Sequence, residues 1–177
     1  MSRERSLQAE EKPEVNGMKQ ALLQAREALE EGEIPVGAVL MRGEEVLWAD
    51  HNRREAAHDP TAHAELICLR EGARRAGDWR LRDCTLYVTL EPCPMCAGAM
   101  VMSQLSRCVY AAPDPEKGCC GSVYDLPADP ALHGRTRWTC DVEAEAARTL
   151  LQRFFRRRRG KPPASEPSPA CPQDEQP

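Results

Sequence analysis

A chain of 177 residues is long enough to bury one core of ordinary domain size, and a second domain is not expected in it. Its formal charge of −4 excludes a globally basic nucleic-acid binder and leaves any contact with nucleic acid to local clusters. Nine cysteines would suit a secreted disulfide scaffold only in a much shorter chain; several here sit in apolar runs as reduced thiols do, Met1 is followed by charge, and no apolar run approaches a membrane span, so the cytoplasm is expected.

Residues 1–15 are polar and without period, and read as a disordered tail. Asn16 is placed to cap a helix in which Met18, Leu22, Ala25 and Leu29 recur at helical spacing, with Gly32 ending it near Pro35. That helix should cover one face of a sheet. Residues 36–41 and 45–49 are apolar runs on either side of a short turn containing Gly43, a hairpin pattern. Residues 51–54 lead to a helix that carries His63 and runs to about Ala76, with Leu66, Ile67 and Leu69 as its apolar side. Strand 85–90 then delivers Cys93 and Cys96, a small apolar helix follows from Met95 to Met102, and 107–111 is the next strand. This βαβαβ progression predicts an α/β sheet with helices on both faces and parallel neighbours.

From 113 to 130 the chain is rich in Pro, Gly and Asp and reads as a loop; its Cys119-Cys120 pair has no partner ligand at a metal-site spacing, which favours two ordinary thiols. Residues 135–139 make a last edge strand. A long helix is expected over 142–159, with Asp141, Glu143 and Glu145 at its start and Arg153, Arg156, Arg157, Arg158 and Arg159 at its end, the order that complements the helix dipole. The Pro-rich segment 161–177 reads as a second disordered tail, so the expected domain spans 16–160.

Two short motifs carry chemistry. In His63-Ala64-Glu65 an imidazole and a carboxylate border one cleft at a helix N-terminus. In Glu91-Pro92-Cys93-Pro94-Met95-Cys96 two thiols stand three residues apart where prolines turn the chain into a helix. One imidazole and two thiolates are three ligands for a tetrahedral zinc, and no fourth stands at a comparable spacing; an open fourth position is what a catalytic zinc keeps for water. Glu65, beside the ligands and not needed as one, suits proton transfer. Taken singly the motifs are weak: Cys-x-x-Cys serves redox chemistry as readily as metal binding, and His-x-Glu is often a solvated pair.

Together and in this order, His-x-Glu and Pro-Cys-x-x-Cys form the signature of the zinc nucleobase deaminases, and the chain resembles the cytidine deaminase-like superfamily. His58-Asp59-Pro60-Thr61-Ala62, Leu86-Tyr87-Val88-Thr89-Leu90-Glu91 and Phe154-Phe155-Arg156 narrow the resemblance, over roughly residues 18–159, to the bacterial tRNA-specific adenosine deaminases. The resemblance implies a three-layer α/β/α fold around a central mixed five-stranded sheet, and a homodimer. It implies that His63, Cys93 and Cys96 bind one zinc per subunit, that Glu65 shuttles protons, and that Asn52 contacts the target base. The implied reaction is deamination of adenosine to inosine at the wobble position of a tRNA anticodon stem-loop, with Arg156, Arg157, Arg158 and Arg159 as candidate RNA contacts. His51, where an aromatic is usual, and His133-Gly134, where Asn-His is usual, depart from the family pattern. Two rival readings remain: deamination of a free nucleobase or nucleoside of the guanine or cytosine type, against which the arginine run speaks, and a non-enzymatic zinc-stabilised RNA-binding module, which would have no use for Glu65.

Overall fold

The structure, a computed structural model, describes residues 13–159; of the tail expected over 1–15, residues 13–15 are helical and the rest, like the tail expected over 161–177, lies outside the described residues. Helix α1 spans Pro13–Glu31, four residues longer at its start than a cap at Asn16 implies. Proline costs nothing in a first turn, where its missing N–H would have had no partner, so the helix begins at Pro13 and Asn16 lies inside it. Met18, Leu22, Ala25 and Leu29 are all buried as their spacing predicts, and Gly32 ends the helix with a positive φ of 82°.

Strands β1 (Gly37–Arg42) and β2 (Glu45–His51) form the expected hairpin. A single helical turn, α2 (Arg54–Ala57), follows; four residues carry no period, and nothing in the sequence marks it. Next come α3 (Ala64–Ala76), β3 (Cys84–Leu90), α4 (Pro94–Met102), β4 (Arg107–Ala112), a 3₁₀ turn at Pro130–Leu132, β5 (Arg137–Thr139) and α5 (Ala144–Arg159). Asp141 and Glu143 do not begin α5 as expected. Both hold positive φ, 61° and 58°, in the turn before it, which leaves Glu145 as the acid of the first turn.

The five strands lie in the order β2-β1-β3-β4-β5. β3, β4 and β5 are parallel, as βαβ crossovers require, but β1 is antiparallel to both its neighbours. The tight hairpin is responsible: β2 returns beside β1, and the crossover through α3 then steps over β1, leaving it between two strands that run the other way. The sheet is therefore mixed. Val39, Met41, Tyr87 and Val109 point to one face, under α1 and α5; Ala38, Leu40, Leu86, Val88 and Tyr110 point to the other, under α3 and α4. These are the three layers.

Packing between α1 and β1 is close enough that only glycine fits at Gly37. A Cβ there would meet the Ala21 carbonyl oxygen at 2.2 Å and the Ala25 nitrogen at 2.4 Å, both backbone atoms that cannot swing aside. Gly37→Ala should lower the unfolding free energy by about 1–3 kcal/mol. An unchanged urea midpoint would show that α1 retreats from the sheet at no cost.

Candidate active site

His63 and Cys93 occupy equivalent places. Each is the N-cap of its helix, α3 and α4 respectively, with extended backbone angles (φ −79°, ψ 146° and φ −74°, ψ 174°), and neither side chain caps its helix. An N-cap residue normally turns its side chain back onto the first-turn amides. Here both turn toward each other instead, with Pro94 at the first helical position keeping the entry to α4 rigid. Cys96, one turn further on, completes the group from the buried side. The partial positive charge of two helix N-termini converges there and favours thiolate.

The three ligand atoms form a nearly regular triangle: Cys93 Sγ to Cys96 Sγ is 3.6 Å, and His63 Nδ1 stands 3.7 and 3.6 Å from the two sulfurs. A tetrahedral zinc with ordinary bond lengths demands edges of about 3.8 Å between sulfurs and about 3.6 Å from sulfur to nitrogen. The residues fit zinc. Among the described residues this is the group of His, Cys, Asp or Glu able to hold a metal, and no fourth ligand joins it. A redox dithiol would have no need of an imidazole nitrogen held equally close to both sulfurs.

The protonation of the group follows from its hydrogen bonds. Cys93 is pulled down to about 4, first by its hydrogen bond with Cys96 and then by that with His63. Cys96 is pushed up by the hydrogen bond with Cys93 and by burial. The bond to Cys93 raises His63, with Glu65 adding to it. A metal bound there has to displace the protons the ligands carry. Glu65, in the first turn of α3, is 4% exposed and lies beside Cys96; burial raises its pKa, so the carboxyl accepts and releases a proton closer to neutral pH than an exposed glutamate would.

Asn52 is buried at the end of β2, and its Nδ2 donates to Glu33 Oε2 at 3.1 Å. Glu33 also accepts from the Ala56 amide at 2.8 Å, which ties Asn52 and α2 to the turn after α1. Sequence reasoning missed Glu33, although an acid between Gly32 and an apolar run, with no basic neighbour, is a readable oddity. It also assigned no role to Glu91, which is 2% exposed and accepts from the amides of Asp114 (2.9 Å), Cys120 (2.9 Å) and Ser122 (3.0 Å) and from the Ser122 hydroxyl. The loop after β4 is accordingly packed inward. Cys119 and Cys120 are fully buried free thiols, and Cys119 N–H donates to the Pro92 carbonyl.

The departures from the family pattern find local explanations. His51 is buried with its Nε2 3.0 Å from Glu31 and its Nδ1 3.4 Å from Gln24, so a polar ring bonded to α1 stands where an aromatic would pack. At Gly134 a Cβ would meet the Pro127 carbonyl oxygen at 2.3 Å, which leaves no room for a side chain. Arg156, Arg157, Arg158 and Arg159 are exposed at the end of α5, where Arg158 approaches Glu55 of α2 at 4.0 Å. This puts the arginine run near the short helix that begins two residues after Asn52.

Residues 12–112 match the model of the cytidine and deoxycytidylate deaminase zinc-binding region. The tRNA-specific adenosine deaminase of Bacillus subtilis (strain 168) is 41% identical over 148 residues, covering 84% of this chain and 92% of its own. The chain belongs to the tRNA-specific adenosine deaminase family. A solved structure from a study of A-to-I editing by tRNA:A34 deaminases at the wobble position of transfer RNA superposes with a TM-score of 0.74 at 35% identity, covering 77% of this chain and 99% of that one. A guanine deaminase from Bacillus subtilis is also similar, with a TM-score of 0.53 at 36% identity, over 55% of this chain and 63% of that one. The family's metal is the one the triangle fits.

With only three ligands and no spare, Cys96→Ala or His63→Ala should reduce bound zinc from one ion per chain to a small residue, measured by elemental analysis of dialysed protein. Full occupancy in either variant would contradict this ligand set.

Proposed function

We propose that the protein hydrolyses adenosine to inosine at the wobble position of a tRNA anticodon, with one zinc per subunit. The observation that carries the chemistry is the His63, Cys93, Cys96 triangle with a buried carboxylate beside it. A zinc held by those three side chains lowers the pKa of water to near neutral. Glu65 takes the proton released from the attacking water, delivers it to the ring nitrogen of the adenine, and assists departure of the amine as ammonia, so that adenosine and water become inosine and ammonia. Its raised pKa suits both directions of transfer. Asn52 holds the flipped base, and Glu33 holds Asn52 by fixing its amide. An anticodon loop suits such a site because its bases are already unpaired.

RNA is favoured over a free base by the arginine run beside α2. Among the described residues, four exposed guanidiniums at the end of one helix share a single ion pair, Arg158 to Glu55 at 4.0 Å. A free-base deaminase of the guanine type, the rival supported by the smaller structural likeness, would make no use of them. The same reading includes a cytoplasmic location and a homodimer, for which the 76% exposed Met102 on α4 offers apolar surface. Among the described residues no helix is long and apolar enough to cross a membrane.

Purified protein incubated with a tRNA transcript carrying adenosine at the wobble position should form inosine, detected by nuclease digestion and mass spectrometry. Glu65→Gln should retain zinc and lose about 10²–10⁴-fold in rate, the usual contribution of a general acid–base group. A rate near that of the wild type would remove Glu65 from the mechanism.

Replacing Arg156, Arg157, Arg158 and Arg159 with alanine should weaken binding of an isolated anticodon loop and flatten its salt dependence, by about 0.7 in log–log slope for each phosphate no longer neutralised. If the arginines only complement the helix dipole, thermal stability will change and the slope will not.

A further inference from the structure

A groove of about 570 Å³ opens at the end of the sheet away from the zinc ligands, lined by Arg82, Gln104, Ser106, Arg135 and Arg137 over the apolar floor of Leu105. Its place follows from the topology. Arg82 precedes β3, Ser106 precedes β4 and Arg137 opens β5, so the groove lies at the N-terminal ends of the three parallel strands, whereas Cys93 follows the C-terminal end of β3. The seven residues of β3 separate the two by roughly 23 Å at about 3.3 Å per residue.

No acidic residue lines this groove. Arg82 Nε donates to the Gln104 side-chain carbonyl at 2.7 Å, which orients the guanidinium without neutralising it. Asp83, the nearest acid in sequence, is taken by Arg42 at 2.8 Å. Arg135 and Arg137 have no carboxylate within ion-pair distance among the described residues. Three unneutralised guanidiniums around one cavity, in a chain whose formal charge is −4, form a local positive field that asks for an anion with several charged groups. Arginine's planar fork matches phosphate oxygens in particular.

We propose that this groove is a second RNA site, which takes backbone phosphates of the same RNA whose base enters the zinc site. The inference rests on the RNA reading given above and extends it: the enzyme grips the substrate at two places a strand length apart, so an RNA reaching well past the anticodon loop binds more tightly than the loop alone. The arginine run at the end of α5 holds the loop; the groove holds the more distant backbone.

The test compares wild type with a triple variant, Arg82→Gln, Arg135→Gln and Arg137→Gln. All three side chains are exposed, so the fold should persist, and the melting temperature and zinc content check it. Dissociation constants for a whole tRNA and for the isolated anticodon loop are measured across a salt series. For the whole tRNA the log–log slope of the triple variant should be shallower by about 2–3, as expected when three phosphates keep their counterions. For the isolated loop the two proteins should coincide. Equal slopes on the whole tRNA overturn the groove site, as does an equal weakening on both RNAs or a change of oligomeric state in place of a change of slope. Inosine formation by the wild type separates this proposal from the reading beneath it. Inosine with coincident slopes means that the groove fails and the deaminase stands; a difference in slope with no inosine means that the groove binds RNA and the assigned reaction fails.

Discussion

Three side chains from two different helices have to bring their ligand atoms within 3.7 Å of one another, and the architecture can be understood as what makes this possible. His63 and Cys93 are both N-caps, so α3 and α4 must lie on the same face of the sheet with their N-termini adjacent. The parallel pairing of β3 and β4 meets half of this demand, because a crossover helix starts at the end where its strand finishes. The other half comes from α3, which crosses from β2 over β1 to β3 and so places its start beside the end of β3. Close packing between layers keeps the pair from drifting: Gly37 lets α1 rest on β1 on one face, and Gly72 leaves room for Leu40 beneath α3 on the other. A shift of about 1 Å in either helix would spoil a tetrahedral face that bond lengths define to a few tenths of an ångström.

Around this centre, buried carboxylates do what salt bridges do in other proteins. Glu33 and Glu91 are 1% and 2% exposed, and no cation is paired with either among the described residues. Their oxygens are met by hydrogen-bond donors instead: the Asn52 amide and Ala56 N–H for Glu33, three backbone amides and a hydroxyl for Glu91. Hydrogen bonds to a charged group contribute about 1.5–3 kcal/mol each, enough to offset desolvation when several converge.

What the sequence made legible and what it did not divide along a physical line. The zinc triad and the elements that deliver it were readable because each depends on local spacing: a helical period for α1, a strand run before Cys93, Pro94 at a helix start. The hairpin made β1 antiparallel to β2 readable, but the place of β1 beside β3 was not read from the residues, since strand order is set by which face each crossover covers, a nonlocal choice. Asp141 and Glu143 match the acidic start of a helix in composition but sit in left-handed backbone before it, and composition does not report φ. The segment 113–130 reads as a loop from its Pro, Gly and Asp content. Its amides instead turn inward to Glu91, a partner some twenty to thirty residues back that no local pattern reveals.

Charge is distributed so that binding and chemistry are separable. The candidate metal centre holds one imidazole and two thiols with Glu65 beside them, whereas the exposed arginines lie elsewhere, at the end of α5 and at the N-terminal ends of the parallel strands. Phosphates do not change during deamination, so interactions with them stabilise ground state and transition state alike and lower KM without raising kcat. Remote binding of that kind nonetheless decides which adenosines are presented, because phosphate recognition reads the shape of a stem and loop while contacts to one base see a single nucleotide. Selectivity for a structured RNA can then be strong in an enzyme whose reactive centre is common to deaminases of free bases.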